Sequence, residues 1–313
     1  MSALQPRVVV LGSINMDLVA RVPRIPRPGE TLSGQTLTYI PGGKGANQAV
    51  AACRLGAQVQ MLGRLGDDAF AATLRAGLTA NGVETTGVMT TPATASGVAW
   101  ISVSEDGQNA ITVIPGANGA VSIADVAGWE PWLNSADVLL LQLEVPPETV
   151  AAAIAVAQRL GVRVVLDAAP IPTTLLPAAC WNVDLFSPNQ TETEQLLGQP
   201  VETLAQAADA AQRLLERGPR QVVIKLGKLG AWVAGRELKP QHVPPFLVTP
   251  VDTTAAGDAF TAALAVEWAR GLPLPDACLW ACAAGAVATL TAGAQPAMPT
   301  REQVVRLLSQ QRP

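Results

Sequence analysis

The segment Val251-Asp252-Thr253-Thr254-Ala255-Ala256-Gly257-Asp258-Ala259-Phe260 holds the residues best suited to chemistry. It is a loop of small residues that ends in a carboxylate and runs into an apolar helical pattern. That pattern reads Phe260, Ala263, Leu264, Val266 and Trp268 and stops near Gly271-Leu272-Pro273. Small residues at a helix start leave its first N–H groups approachable, with the positive end of the helix dipole behind them. Such a terminus attracts phosphate or developing oxyanion charge. Asp258 is on the same turn, where it can accept a proton from a hydroxyl attacking that phosphate. Taken alone, the segment reads more simply as a helix start with an acid in its first turn, because acids are common there.

Composition narrows the chemistry. The sequence of 313 residues has 21 Lys and Arg against 25 Asp and Glu, a net charge of −4 that gives nucleic acid or an anionic membrane no electrostatic handle. With 49% apolar and 15% charged residues it is a folding sequence with room for a full core. Its start runs almost directly into the strand-like Arg7-Val8-Val9-Val10-Leu11, and no run of about eighteen uncharged apolar residues follows. The expectation is a cytoplasmic protein with neither nucleic acid nor membrane as partner. His242 is the single histidine, which removes Ser-His-Asp hydrolysis and His-ligated zinc. Acid–base work falls to carboxylates or lysine. The four cysteines are too scattered for a disulfide framework, and Cys278 and Cys282, four apart on a helical pattern, read as core packing.

Other polar or glycine-rich turns follow strand patterns. Val8–Leu11 leads into Gly12-Ser13-Ile14-Asn15-Met16-Asp17, where Asn15 and Asp17 read equally as ligand holders or as turn residues bonding their own backbone. Pro41-Gly42-Gly43-Lys44-Gly45-Ala46-Asn47 opens a helix ending at Gly56. It is neither a P-loop nor a dinucleotide fingerprint, since Gln48 stands at the third glycine position of the latter. Lys44 and Asn47 beside exposed backbone favour a binding role. Glu144 follows strand Asp137–Leu143, Asn189 to Glu192 follow Asp184–Phe186, and Gly227 to Gly230 follow Gln221–Leu226.

Between these strands lie helical patterns from Asp67-Asp68 to Asn81-Gly82, at Thr149–Leu160, at about Leu204 to Arg217, at about Pro275–Leu290 and at Thr300–Gln311. Strands are also predicted at Gln58–Leu62 and Val162–Leu166. This alternation predicts one α/β domain over residues 1–313, with a doubly wound, mostly parallel central sheet and helices on both faces. Two extended excursions interrupt it. One spans Arg21 to Tyr39; the other is the hairpin Gly97–Val103 and Ala110–Ile114 around Asp106-Gly107. They predict a small β-sheet lid from insertions at about 17–40 and 97–114. A doubly wound sheet brings the polar strand ends to one edge, so the turns together predict one large site.

The chain resembles the ribokinase family of carbohydrate kinases from its first strand to its last helix. Gly42-Gly43-Lys44-Gly45-Ala46-Asn47, with Asn15-Met16-Asp17, and Asp252-Thr253-Thr254-Ala255-Ala256-Gly257-Asp258 carry the resemblance. It implies an ATP-dependent kinase that phosphorylates the 5-hydroxymethyl of D-ribose. By the same resemblance Asn15, Asp17, Gly42, Gly43, Lys44, Asn47 and Glu144, together with Asp258, would grip the sugar. Asp258 would be the base, kept ionised by the helix start, and Ala255, Ala256 and Gly257 would form the anion hole. Asn189, Lys225, Gly227 and Gly230, with Gly257 and Asp258, would bind ATP. Glu192 would order Mg²⁺ through water, though by itself it reads as a first-turn helix acid. Asp252, Thr254, Ala288, Thr291, Gly293 and Ala297 would hold a monovalent cation, usually K⁺, largely through backbone oxygens. The lid would also form a homodimer contact. Cys282 departs from the polar residue that relatives carry in the adenine pocket. The alternatives are a kinase for deoxyribose, fructose or adenosine, or a sugar-binding regulator without catalysis.

Overall fold

The structure, a computed structural model, describes residues 5–311. In chain order the strands are β1 (Arg7–Leu11), β2 (Asn15–Val22), β3 (Thr36–Gly42), β4 (Gln58–Leu65), β5 (Val88–Thr90), β6 (Gly97–Ser104) and β7 (Asn109–Ile114). Then come β8 (Val138–Leu141), β9 (Arg163–Leu166), β10 (Leu185–Phe186), β11 (Gln221–Lys225), β12 (Ala231–Gly235) and β13 (Leu238–Val243). The helices are α1 (Lys44–Arg54), α2 (Ala69–Ala80), α3 (Ile123–Gly128), α4 (Glu130–Leu133) and α5 (Pro147–Leu160). They continue with α6 (Gln190–Leu197), α7 (Leu204–Glu216), α8 (Ala256–Ala269), α9 (Leu274–Ala288) and α10 (Arg301–Gln310).

Among the described residues the main sheet has nine strands in the order β13-β12-β11-β10-β9-β8-β1-β4-β5. From β10 to β5 every neighbouring pair is parallel. Its inner strands are buried on both faces because helices cover both, so they read as continuous apolar runs. On β1, Val8 and Val10 pack with α1, α8 and α9, while Val9 and Leu11 pack with α3, α5 and α7. Helices α8 and α9 are apolar almost all round and rich in alanine, as suits helices buried between layers.

The hairpin of β12 and β13 was not expected. Both strands run antiparallel to their neighbours at the sheet edge. The sequence shows only a glycine-rich turn after β11, and Ala231 and Trp232 instead begin a return strand. Asn15 and Asp17 likewise are not turn residues, because they lie within β2. The second sheet, β3-β2-β6-β7, is inserted between β1 and α1 and again between β5 and α3. The chain leaves β1 for β4 and β5, then returns to β8 on the other side of β1 and winds outward. The direction therefore reverses beside β1, and the crevice at such a point, beyond the carboxyl ends of the strands, is where ligands bind in open α/β sheets. No helix among the described residues is long and apolar enough to cross a membrane.

Candidate active site

The crevice between β1 and β8 is closed by a carboxylate. Glu144, just after β8, accepts from the Ser13 hydroxyl at 2.5 Å and from the backbone N–H of Lys44 at 3.0 Å with the same oxygen, Oε2. The N-terminus of α1 is thereby capped by an acid from another strand, which suits the positive end of its dipole. Close approach of α1 depends on glycine. Gly43 has φ +88°, and a Cβ there would lie 2.7 Å from the Asn15 nitrogen. A Cβ on Gly45 would lie 2.6 Å from the carbonyl carbon of Gly12. Gly42 leaves space for the Asp17 carboxylate, whose Oδ2 would be 2.1 Å from a Cβ. These glycines do more than turn the chain: they let α1 carry Lys44 and Asn47 to the strand ends.

Asp258, in the first turn of α8, meets α1 there. Asn47 Nδ2 donates to Asp258 Oδ2 at 2.9 Å, and Gln48 Nε2 donates to Asp258 Oδ1 at 3.0 Å. Asn47 Oδ1 is buried without a hydrogen-bond partner among the described residues. Asn15 Oδ1 is occupied by Asn118 Nδ2 at 2.7 Å. Asp17 is pushed up to about 7, first by burial and then by the charges of Glu144 and Asp258. Burial works against the Lys44 ammonium, yet Asp258, Asp167, Glu144 and Glu192 together raise its pKa. Asn15, Asp17, Gly42, Gly43, Lys44, Asn47, Glu144 and Asp258 thus form one polar cluster at the strand ends.

The start of α8 was expected to favour the ionised form of Asp258, but the carboxyl is raised above the ordinary carboxylate range. Burial is the main cause; Lys44 opposes it, Asp167 adds to it, and the Asn47 and Gln48 donors oppose it. Burial disfavours the charged form of a carboxyl, whereas nearby positive charge and N–H donors favour it.

Beside this cluster lies a cavity of about 590 Å³, within the range of small-molecule sites. Lys44, Asn189, Glu192, Lys225, Gly227, Gly230, Ala256 and Gly257 line it. Glu192 is both a helix-start acid and a cavity residue. Its Oε2 accepts from the Asn189 backbone N–H at 2.6 Å, while Asn189 Oδ1 accepts from the Glu192 backbone N–H at 2.8 Å, a reciprocal cap on α6. Ala255 caps α8. The Ala256 N–H is taken by the Thr253 carbonyl at 3.2 Å, so helix geometry leaves the N–H groups of Gly257 and Asp258 open. Cys282 lies on the cavity wall with Gly285, Ala286 and Thr289, and its helical neighbour Cys278 is fully buried.

Of Asp252, Thr254, Ala288, Thr291, Gly293 and Ala297, hydrogen bonds tie Thr254 and Gly293 to Asp252. Its Oδ1 accepts from the Thr254 N–H at 2.9 Å and its Oδ2 from the Gly293 N–H at 2.8 Å. Burial works against its charge, but the Thr254 hydroxyl, donating to Oδ1 at 2.6 Å, and these two N–H groups together hold the carboxyl below the ordinary range. Among the described residues no donor reaches the carbonyl oxygens of Ala288, Thr291, Gly293 or Ala297.

Three features are absent from the expected set. Asp167, directly after β9, pairs with Lys225 Nζ at 2.5 Å and is 1% exposed. Gln48 bridges Asp167 and Asp258. The segment Pro245-Phe246-Leu247-Val248 forms the apolar wall of the cavity. Asp167 carries the same strand-end signal as the polar turns, and the proline-punctuated apolar run is a visible signal for the wall. Nothing local marks Gln48.

Comparison with known proteins identifies the family of the chain. The pfkB carbohydrate kinase family matches residues 5–301. A ribokinase of Haemophilus influenzae is 37% identical over 306 residues, covering 97% of this chain and 99% of that protein. A deoxyribokinase of Salmonella typhi is 37% identical over 302 residues, covering 96% and 98%. The structure of Arabidopsis thaliana ribokinase complexed with ribose and ATP superposes with a TM-score of 0.89 at 34% identity, covering 97% of this chain and 99% of that one. The chain therefore has the fold of these kinases and belongs to the pfkB family of carbohydrate kinases.

Proposed function

We propose that this chain transfers the γ-phosphoryl group of ATP to the 5-hydroxymethyl of D-ribose, giving ribose 5-phosphate and ADP. The observation that carries the reading is the position of Asp258. Its carboxylate is held by α1, while Gly257, the residue before it, lines the cavity. A sugar hydroxyl lying against Asp258 would face a phosphate lying on the start of α8. The hydroxyl oxygen attacks phosphorus, the bond to the ADP oxygen breaks, and the hydroxyl proton passes to Asp258. The raised pKa of Asp258 makes it a stronger proton acceptor than an exposed aspartate. Gly257, with Ala255 and Ala256 in the same turn, would stabilise charge on the transferring group.

The unpartnered Asn47 Oδ1 suits a sugar hydroxyl donor, beside Asn15, Asp17, Lys44, Glu144 and the Gly42-Gly43 backbone. Asn189, Lys225, Gly227 and Gly230 would hold the nucleotide. Among the described residues no group of three or more His, Cys, Asp or Glu side chains is arranged as a metal cage. Mg²⁺ fits Glu192 on those terms, since this ion keeps several waters and is held partly by substrate phosphates. When bound it would neutralise phosphate charge. The open carbonyls at the end of α9, beside the Asp252 carboxylate, suit a weakly held monovalent cation. The rate in K⁺ buffer should therefore exceed that in Na⁺ buffer at equal ionic strength; identical rates would count against the cation site. The small sheet would act as a lid over the sugar. It exposes Leu37, Tyr39, Trp100, Ile111, Val113 and Ile114, an apolar surface that homodimerisation would cover.

Equal identity to a deoxyribokinase favours one second reading, phosphorylation of deoxyribose. Coupled ADP release over D-ribose, 2-deoxyribose, fructose and adenosine separates the two. D-Ribose should give the highest kcat/KM, with at least about tenfold over deoxyribose if its extra hydroxyl pairs with a buried polar group. Equal or better turnover of deoxyribose would replace ribose as substrate. No turnover of any sugar, with binding retained, would favour a non-catalytic sugar-binding protein.

A further inference from the structure

We infer that Gln48 is a positioning residue for Asp258, and that Gln142 fixes the orientation of its carboxamide; the inference rests on the reading of Asp258 as the base. Gln48 is fully buried and does not line the cavity. Its Nε2 donates to Asp167 Oδ2 at 2.7 Å and to Asp258 Oδ1 at 3.0 Å. Both amide hydrogens are thereby spent on two different carboxylates. Its Oε1 accepts from Gln142 Nε2 at 2.6 Å, and Gln142 is itself fully buried after β8. If the Gln48 amide turned over, an oxygen would face two carboxylates and an N–H₂ would face the Gln142 N–H₂. Every contact would become repulsive, so the network permits one orientation.

The consequence for Asp258 is geometric. Asn47 holds Oδ2 from one side and Gln48 holds Oδ1 from the other, which fixes the plane of the carboxylate with one lone pair of each oxygen left over. Asp167 serves as the anchor. It is tied by Lys225 on β11, at 2.5 Å, so Gln48 holds Asp258 in place relative to the central sheet as well as to α1. A base held at a set distance and angle keeps its reactive lone pair aimed at the hydroxyl, and small misplacements of such groups lower turnover steeply.

The test is the pH profile of kcat with the sugar that the wild-type enzyme turns over. The charged groups around Asp258 are Lys44 from α1, Asp167 after β9, Asp17 from β2, Glu144 after β8, Lys225 from β11 and Glu192 from α6. All are present in both variants below. Gln48→Met keeps the volume and removes the amide. It should lower kcat by about 10- to 100-fold with the sugar KM nearly unchanged. It should also move the acidic limb of the kcat profile to higher pH, because an N–H donor that favours the charged carboxylate is gone. Gln142→Met leaves Gln48 held by the two carboxylates but removes the donor to its Oε1, which loosens the amide, and should move the same limb in the same direction by less. A kcat loss that is equal at every pH, or a rise in KM without a shifted limb, would reduce Gln48 to core packing and overturn the inference. If Gln48→Met does not fold, Gln142→Met decides alone, and an unmoved limb there overturns it. Full activity in Asp258→Asn would instead remove the base reading. An inactive Asp258→Asn with an unshifted Gln48→Met would remove only the positioning role.

Discussion

Asp258→Asn is expected to lower kcat by roughly 10²-fold or more while leaving sugar affinity close to wild type. The substitution keeps the shape of the side chain and removes its capacity to take a proton. It also sets an N–H₂ against one of two donors, Asn47 Nδ2 or Gln48 Nε2, so one of the present hydrogen bonds is lost. Sugar binding should persist, because Asp17, Lys44, Glu144 and Asn15 are untouched. Residual turnover should come from the start of α8 and from the positioning of both substrates, which do not require a base. Single-turnover rates, together with sugar affinity by calorimetry, separate the two effects. Wild-type turnover would remove Asp258 from the chemistry. A parallel loss of affinity would make it chiefly a sugar ligand.

Lys225→Met should be the most destabilising single change at the site, by about 3–5 kcal/mol, because it strands a buried carboxylate without its partner. Asp167 is 1% exposed, and Lys225 contributes its only salt bridge among the described residues, at 2.5 Å. The remaining Gln48 and Thr261 contacts are neutral donors that cannot replace a charge. Urea unfolding of the ligand-free protein measures the effect. Adding Asp167→Leu to Lys225→Met should recover much of the loss, since an apolar pair of similar volume needs no counter-charge. If the second substitution only adds to the first, the pair is not a coupled unit and the buried-charge argument fails. The catalytic and stability predictions therefore concern separable parts of one network, with Gln48 between them.

The contrast between these residues shows what was legible before folding. Asp258 and Asn47 stand out in the sequence because each sits among small residues and glycine at a helix start. Asp167 stands directly after β9, but its meaning comes from Lys225, 58 residues away, and from burial that no local pattern records. Gln48 carries no local signal, since its two carboxylate partners lie 119 and 210 residues further on. Burial raises the Asp258 pKa, an effect that the helix start alone does not reveal. A helix start is a local feature visible in sequence, whereas desolvation belongs to the packed interior.

The sequence by itself determined most of the longer elements and the type of fold. Apolar runs with short glycine stops, such as Gly56 and Gly82 in the left-handed region, mark where strands and helices begin and end. Their alternation implies a parallel sheet covered on both faces, and that topology gathers the strand ends at one edge. Only the tertiary structure decided the edge hairpin of β12 and β13, the extended backbone of Asn15 and Asp17, and the union of α1 with α8 through Gln48. Local spacing fixes secondary structure because backbone geometry repeats over a few residues. Hydrogen-bond partners and hydration are settled only when distant segments pack together and exclude water, and at Asp258 it is the packed surroundings that set both its orientation and its affinity for a proton.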